Sequence, residues 1–168
     1  MNTRDVGRVA PSSETEPLRL ALSVLSAGAA AIHFAVTGEH LREYWLFGAF
    51  FAATGGLQAL WAMLVMIRPS SVVYLAGAIG NLAIVVTWGL SRTVGLPIGP
   101  DAGVPESAGV VDVAATACEA LIGVGVLALL QPGAIRRQLR RMVGAVLAFA
   151  ALQILLGAAS LAASGGHH

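Results

Sequence analysis

Residues 45–67 read WLFGAFFAATGGLQALWAMLVMI, a run without one charged side chain. At about 1.5 Å rise per residue, the run is long enough to cross the ~30 Å hydrocarbon core of a bilayer as a helix. The rest of the chain has the same character. Of 168 residues, 57% are AVILMFWYC and only 11% are charged, against roughly 25% charged in soluble proteins. Mean hydropathy is +0.78. A domain this small exposes most of its residues, and so few charges could not cover a surface in water. The apolar excess therefore faces lipid.

Four further stretches qualify as spans: roughly Leu18–Gly38, Ser71–Ser91, Gly109–Leu130 and Met142–Ala163. The breaks between the spans carry GEHLREY, RPSS, a long Gly/Pro loop and QPGAIRRQLRR. Pro69, Pro97, Pro100, Pro105 and Pro132 all fall in those breaks, where a missing N–H costs nothing. The pattern predicts an all-α transmembrane bundle of about five helices. Residues 1–17 read as a disordered tail, 18–163 as one transmembrane domain with an outer loop at about 92–108, and 164–168 as a terminal tail. The first apolar run is too long for the core of a signal peptide and reads as a retained anchor. His167 and His168, native or tag-derived, carry no functional weight.

The arginines set the expected orientation, because short cytoplasmic connections collect positive charge. Arg4, Arg8, Arg19, Arg68, Arg136, Arg137, Arg140 and Arg141 fall at one end of the spans, and only Arg42 and Arg92 at the other. The N-terminus is then cytoplasmic and the C-terminus outside. All basic residues are arginine. Beside abundant Ala, Gly and Val, this suggests a GC-rich bacterial genome, and hence a multi-pass protein of the bacterial inner membrane. A formal charge of +1 with scattered arginines argues against nucleic acid as a partner. Cys118 is the only cysteine, so neither an intramolecular disulfide nor a CxxC metal site is available.

Nearly all chemically capable side chains fall in the outer half. His33, Thr37, His40 and Tyr44 follow one helical stripe if the first helix continues past Gly38. Two imidazoles near a lipid boundary suit a metal ion or haem iron. Seven residues place them about 10 Å apart along the axis, so one metal would require a break at Gly38. Asp112, Thr116 and Glu119 make a second stripe, with Glu119 about 15 Å deep, near the midplane. A carboxylate there costs about 2.5–3.5 kcal/mol on insertion scales and so calls for a partner, a proton or an inward face.

Gln58, Asn81 and Gln153 lie at matching depth, about 15–18 Å from a boundary, forming a polar midplane layer with Glu119. Arg92 and Asp112 lie at similar height and are expected to form an outer clamp. Glu106 is expected to cap the fourth helix. The outer loop is expected to fold back as a lid over His33, His40 and Asp112. Tyr44, Trp45 and Trp88 fit an outer aromatic belt, and Trp61 and Tyr74 an inner one. The rows Gly77 with Gly80, and Gly123 with Gly125, permit close helix packing and a homo-oligomeric or other membrane partner.

The run from Ser91 to Glu119, with RTVGLPIGP, PESAG and DVAATACEA, resembles a segment of small uncharacterised bacterial multi-helix membrane proteins. The resemblance covers under a fifth of the chain and implies the membrane class without an activity.

Three functions remain open on these residues. One is an outward-facing cavity binding a metal ion or haem through His33, His40, Asp112 and Glu119. Another is a small transporter or ion-coupling subunit that titrates Glu119. The third is an accessory protein whose polar layer serves packing alone. An enzyme is a weaker fourth reading, since HExxH, GxSxG, P-loop and GxGxxG patterns do not occur in useful context, and no catalytic residue is assigned.

Overall fold

The computed structural model describes residues 15–131, together with Arg141, Gly144 and Ala148. Within these, four helices follow one another: α1 Glu16–Glu43, α2 Trp45–Ile67, α3 Ser71–Thr93 and α4 Val110–Leu130. Each is long and apolar enough to cross a membrane. Apart from Gly144 and Ala148, the expected fifth span with Gln153 lies outside the described residues, as do Arg136, Arg137, Arg140, residues 1–14 and the 164–168 tail.

Pro17 stands in the first turn of α1, where its fixed φ suits a helix and its missing N–H is not needed. α1 is longer than the hydropathy suggests. It passes Gly38 without a break and ends at Glu43, because one glycine costs a helix only about 1 kcal/mol and Glu, Leu and Arg favour helix. The expected GEHLREY connection shrinks to Tyr44. That residue is extended (φ −156°) and donates its N–H to the His40 carbonyl. At the opposite end, Ser70 caps α3 by accepting from the Val73 N–H at 3.3 Å.

α1 packs along α2 and against α4, and α3 pairs with α4, whereas α2 and α3 meet at few points. Small residues allow the close approaches. Gly125 lies beneath the Leu22 side chain and Gly77 beneath the Trp61 indole, while a Cβ at Gly80 or Gly123 would meet nothing within 4 Å. One glycine of each expected row thus faces a helix. Ser23 and Ser26 on α1 donate to the carbonyls of Ala62 and Gln58, each at 2.8 Å, tying α1 to α2 where water is absent.

The two ends of the bundle differ in kind. The end carrying the start of α1 is sealed by Leu18, Leu22, Trp61, Val65, Tyr74, Ile122, Val126, Ala128 and Leu129. Trp61 and Tyr74 are therefore core residues, contrary to the inner-belt expectation. Trp61 donates to the Val73 carbonyl at 2.7 Å, and Tyr74 is 2% exposed. Arg19 is also buried there. Its guanidinium donates to the carbonyls of Val65 (3.0 Å) and Met66, the orphan acceptors at the C-terminus of α2. Toward lipid, Val72, Ile67, Leu57 and Trp45 are among the most exposed large side chains, as a membrane bundle requires.

Candidate site: an interhelical cavity

At the end opposite the sealed core, side chains of all four helices and of the loop between α3 and α4 enclose a cavity of about 230 Å³. Its walls are mainly apolar: Phe47, Phe50 and Phe51 from α2, and Ile84 and Trp88 from α3. Phe47, Phe50 and Phe51 recur at helical spacing, which turns all three to one side of α2. Phe51 sits between the two internal imidazoles, its ring centroid 5.6 Å from His33 and 4.2 Å from His40.

The cavity reaches inward to His33 and Glu119, which are 3% and 1% exposed. His33 Nε2 lies 2.9 Å from Glu119 Oε1. The same Oε1 accepts from the Gln58 side-chain amide at 3.3 Å, and that amide reaches Asn81 Oδ1 at 3.4 Å. Asn81 in turn donates to the Gly77 carbonyl at 2.8 Å. α1, α2, α3 and α4 thus each give one polar side chain to a single buried network. The layer expected from depth alone joins Gln58, Asn81 and Glu119 as described. His33 completes it, although the sequence grouped that residue with the outer mouth. Matching depth was the available signal; helix rotation was not.

Toward the mouth, Thr116 and Asp112 line the cavity one and two turns outward from Glu119 on α4, and His40 does so on α1. His40 Nδ1 is held 2.9 Å from the Val36 carbonyl. Arg92 closes this end. One guanidinium nitrogen donates to Asp112 at 2.8 Å, as the sequence suggests, and another pairs with Glu106. Glu106 therefore clamps the loop rather than capping α4. Asp112 provides the cap, accepting the Gly109 N–H at 3.0 Å.

The loop does fold back. Leu96, Pro97 and Ile98 line the cavity, and the Glu106 N–H donates to the Ser91 carbonyl at 3.0 Å. Gly99, at φ +96°, brings the chain so close to Phe47 that a Cβ would stand 2.6 Å from its ring. Only glycine meets both demands there.

Because α1 is unbroken at Gly38, His33 and His40 remain two turns apart. Among the described residues, no group of three or more His, Cys, Asp or Glu side chains is placed to hold a metal ion. Among the described residues, four buried side-chain atoms make no hydrogen bond: His33 Nδ1, Gln58 Oε1, Trp88 Nε1 and Arg92 Nε. Of these residues, His33, Trp88 and Arg92 line the cavity. Set against known protein families, curated proteins and solved structures, the chain matches none of them.

Proposed function

We propose that this chain is a multi-pass protein of the bacterial inner membrane that binds a small, largely apolar molecule in the cavity lined by α1, α2, α3 and α4. His33 and Glu119 form a proton-holding site at the cavity floor. The observation that carries the reading is the continuity of one aromatic-walled cavity from the loop-covered mouth to a buried imidazole–carboxylate pair. A midplane carboxylate is costly, and intramembrane ionisable groups mark ligand and proton sites more often than packing sites. The arginine distribution favours a cytoplasmic N-terminus, five crossings and a cavity opening outward.

A metal or haem site using His33, His40, Asp112 and Glu119 has less support. The helix holds the imidazoles apart, and each ring has one nitrogen committed to a protein partner. Metal content and an absorption spectrum of the purified protein test that alternative directly.

For the small-molecule reading, benzyl alcohol is the probe. A ligand that binds only the folded state raises the unfolding midpoint with its concentration. Wild type is expected to show that rise, and Ile84→Trp, which fills the cavity, is expected to abolish it. Equal shifts in both proteins would refute a cavity site.

A further inference from the structure

The charges and walls of the cavity narrow its ligand further, given the small-molecule reading above. Three carboxylates line it, Glu106, Asp112 and Glu119, against one permanent cation, Arg92. Arg92 already holds two of the three. An anion entering the mouth would meet an excess of like charge, and a neutral molecule would gain nothing from that excess. A cation gains at both ends. It is drawn to the mouth carboxylates, and the aromatic rings of Phe47, Phe50 and Phe51 that line the cavity suit an alkylammonium through their quadrupoles. A bare metal ion finds no such walls useful and no set of three ligands among the described residues. The volume of about 230 Å³ is below the ~300–1,000 Å³ of drug-sized pockets, so the occupant is small.

We propose that the cavity takes a small organic cation, an alkyl- or arylalkyl-ammonium group, in exchange for the proton held between His33 and Glu119. Before exchange, one proton lies on the Nε2···Oε1 axis, as imidazolium beside carboxylate or imidazole beside carboxylic acid, and the pair is neutral. When the ammonium reaches the Glu119 carboxylate, keeping that proton would leave one net positive charge buried, which a low-dielectric site does not tolerate. The proton leaves to solvent through the mouth. Imidazole, carboxylate and bound cation then sum again to zero. No covalent bond to the ligand forms.

The groups around this pair leave Glu119 as the natural exchanger. α1 presents His40, α3 presents Arg92, α4 presents Asp112 and Cys118, and the loop presents Glu106; the polar residue that α2 adds is the uncharged Gln58. Asp112 and Glu106 each give one carboxylate oxygen to Arg92, whereas among the described residues no arginine pairs with Glu119. An ammonium of this class could be a free amine or the head group of a choline lipid. The site chemistry is common to both.

The test uses the full chain in phosphatidylglycerol nanodiscs with three probes of one shape: benzyltrimethylammonium, its uncharged carbon isostere neopentylbenzene, and benzenesulfonate as the anion. Wild type is expected to bind the ammonium at least tenfold more tightly than the other two. Because a proton leaves as the cation binds, its affinity should rise with pH. Calorimetry in buffers of different ionisation heat should show one proton released per cation bound. Glu119→Gln, which keeps an oxygen for His33 and Gln58, is expected to bind weakly, without pH dependence and without proton release. His33→Asn offers a second variant with the carboxylate retained, and should bind the cation with altered pH dependence.

Repetition with phosphatidylcholine assigns the source. Competition by the choline lipid marks a lipid head group, and its absence marks a free amine; either outcome supports the class. Neopentylbenzene binding as tightly as the ammonium would overturn the cation inference while leaving the cavity reading intact. Cation binding that is indifferent to pH with no proton released would overturn the exchange. Failure of all three probes would sink both.

Discussion

His33 on α1 and Glu119 on α4 meet across 2.9 Å, eighty-six residues apart in sequence, with almost no exposure of either side chain. Everything near them is arranged around this contact. Gln58 supports the same oxygen from α2, and Asn81 supports Gln58 from α3. The pair is the one place where all four described helices are joined by polar side chains.

Removing either member should therefore be costly, and removing both less than additive. Glu119→Leu leaves the His33 nitrogen and the Gln58 amide buried without their partner, at about 1–3 kcal/mol per stranded group. The His33→Leu, Glu119→Leu double variant strands fewer groups than the singles combined. Unfolding in mixed micelles is expected to show the double variant more stable than the sum of the singles by about 1–2 kcal/mol. Strict additivity would mean that the contact carries no coupling.

The glycines offer a paired control. A Cβ at Gly77 collides with the Trp61 indole, and one at Gly80, a turn away on α3, meets open space. Gly77→Ala should destabilise by about 1–3 kcal/mol through overpacking. Gly80→Ala should be neutral or gain up to about 1 kcal/mol from helix propensity. The same contrast is expected between Gly125→Ala and Gly123→Ala, measured in the same micelles. Equal effects within either pair would contradict the packing described.

Arg19 supplies a third case. It counts as a cytoplasmic positive charge in sequence, yet its guanidinium caps α2. Arg19→Met retains much of the apolar stem but leaves the Val65 and Met66 carbonyls unanswered. The expected loss is about 1–3 kcal/mol, with partial recovery in Arg19→Lys, whose single ammonium cannot reproduce the fork. Hydrogen exchange at the last turn of α2 should rise in Arg19→Met before it rises elsewhere.

These examples separate what was legible in the sequence from what was not. Depth was legible: counting residues from helix ends brings Gln58, Asn81 and Glu119 to one level, and Arg92 to the level of Asp112. Rotation about each helix axis was not, because nearly every face of these helices is apolar and the usual two-sided pattern is missing. Trp61 and Tyr74 were therefore assigned to the lipid boundary by depth, whereas rotation places them in the core. The end of α1 was obscured for another reason. GEHLRE is too polar to count as a span and is still good helix, so hydropathy stops at Gly38 and hydrogen bonding continues to Glu43. The path of a Gly/Pro loop is encoded in turns with positive φ, and nothing local to Glu106 distinguishes a cap from an ion pair.

Loop closure depends on Arg92, and its two partners should not be equivalent. Asp112 is held both by Arg92 and by the Gly109 N–H, whereas Glu106 is about half exposed and is tied through Arg92 and its own backbone. Glu106→Gln should cost under ~1 kcal/mol, the range of exposed pairs. Arg92→Gln releases both carboxylates and leaves Asp112 without a counter-charge beside the cavity. Protease nicking within residues 94–109 should accelerate clearly in Arg92→Gln and little in Glu106→Gln, with α4 itself intact. Similar nicking rates in both would show that the ion pair does not hold the loop.

The orientation is tested by chemistry at three positions. Cys118 is partly exposed in α4, so a Cys118→Ser background removes the native thiol before single cysteines are introduced. Asp101→Cys lies on the exposed loop between α3 and α4, and Arg68→Cys at the opposite end of the bundle, between α2 and α3. A charged maleimide that cannot cross lipid should label Asp101→Cys in intact cells and Arg68→Cys only after permeabilisation. Five crossings also place Gly166→Cys outside, whereas an even number of crossings would leave it with Arg68. The reverse labelling of Asp101→Cys and Arg68→Cys would turn the cavity mouth to the cytoplasm. Its ligand would then come from the cell interior, and the arginine bias would not have set the orientation.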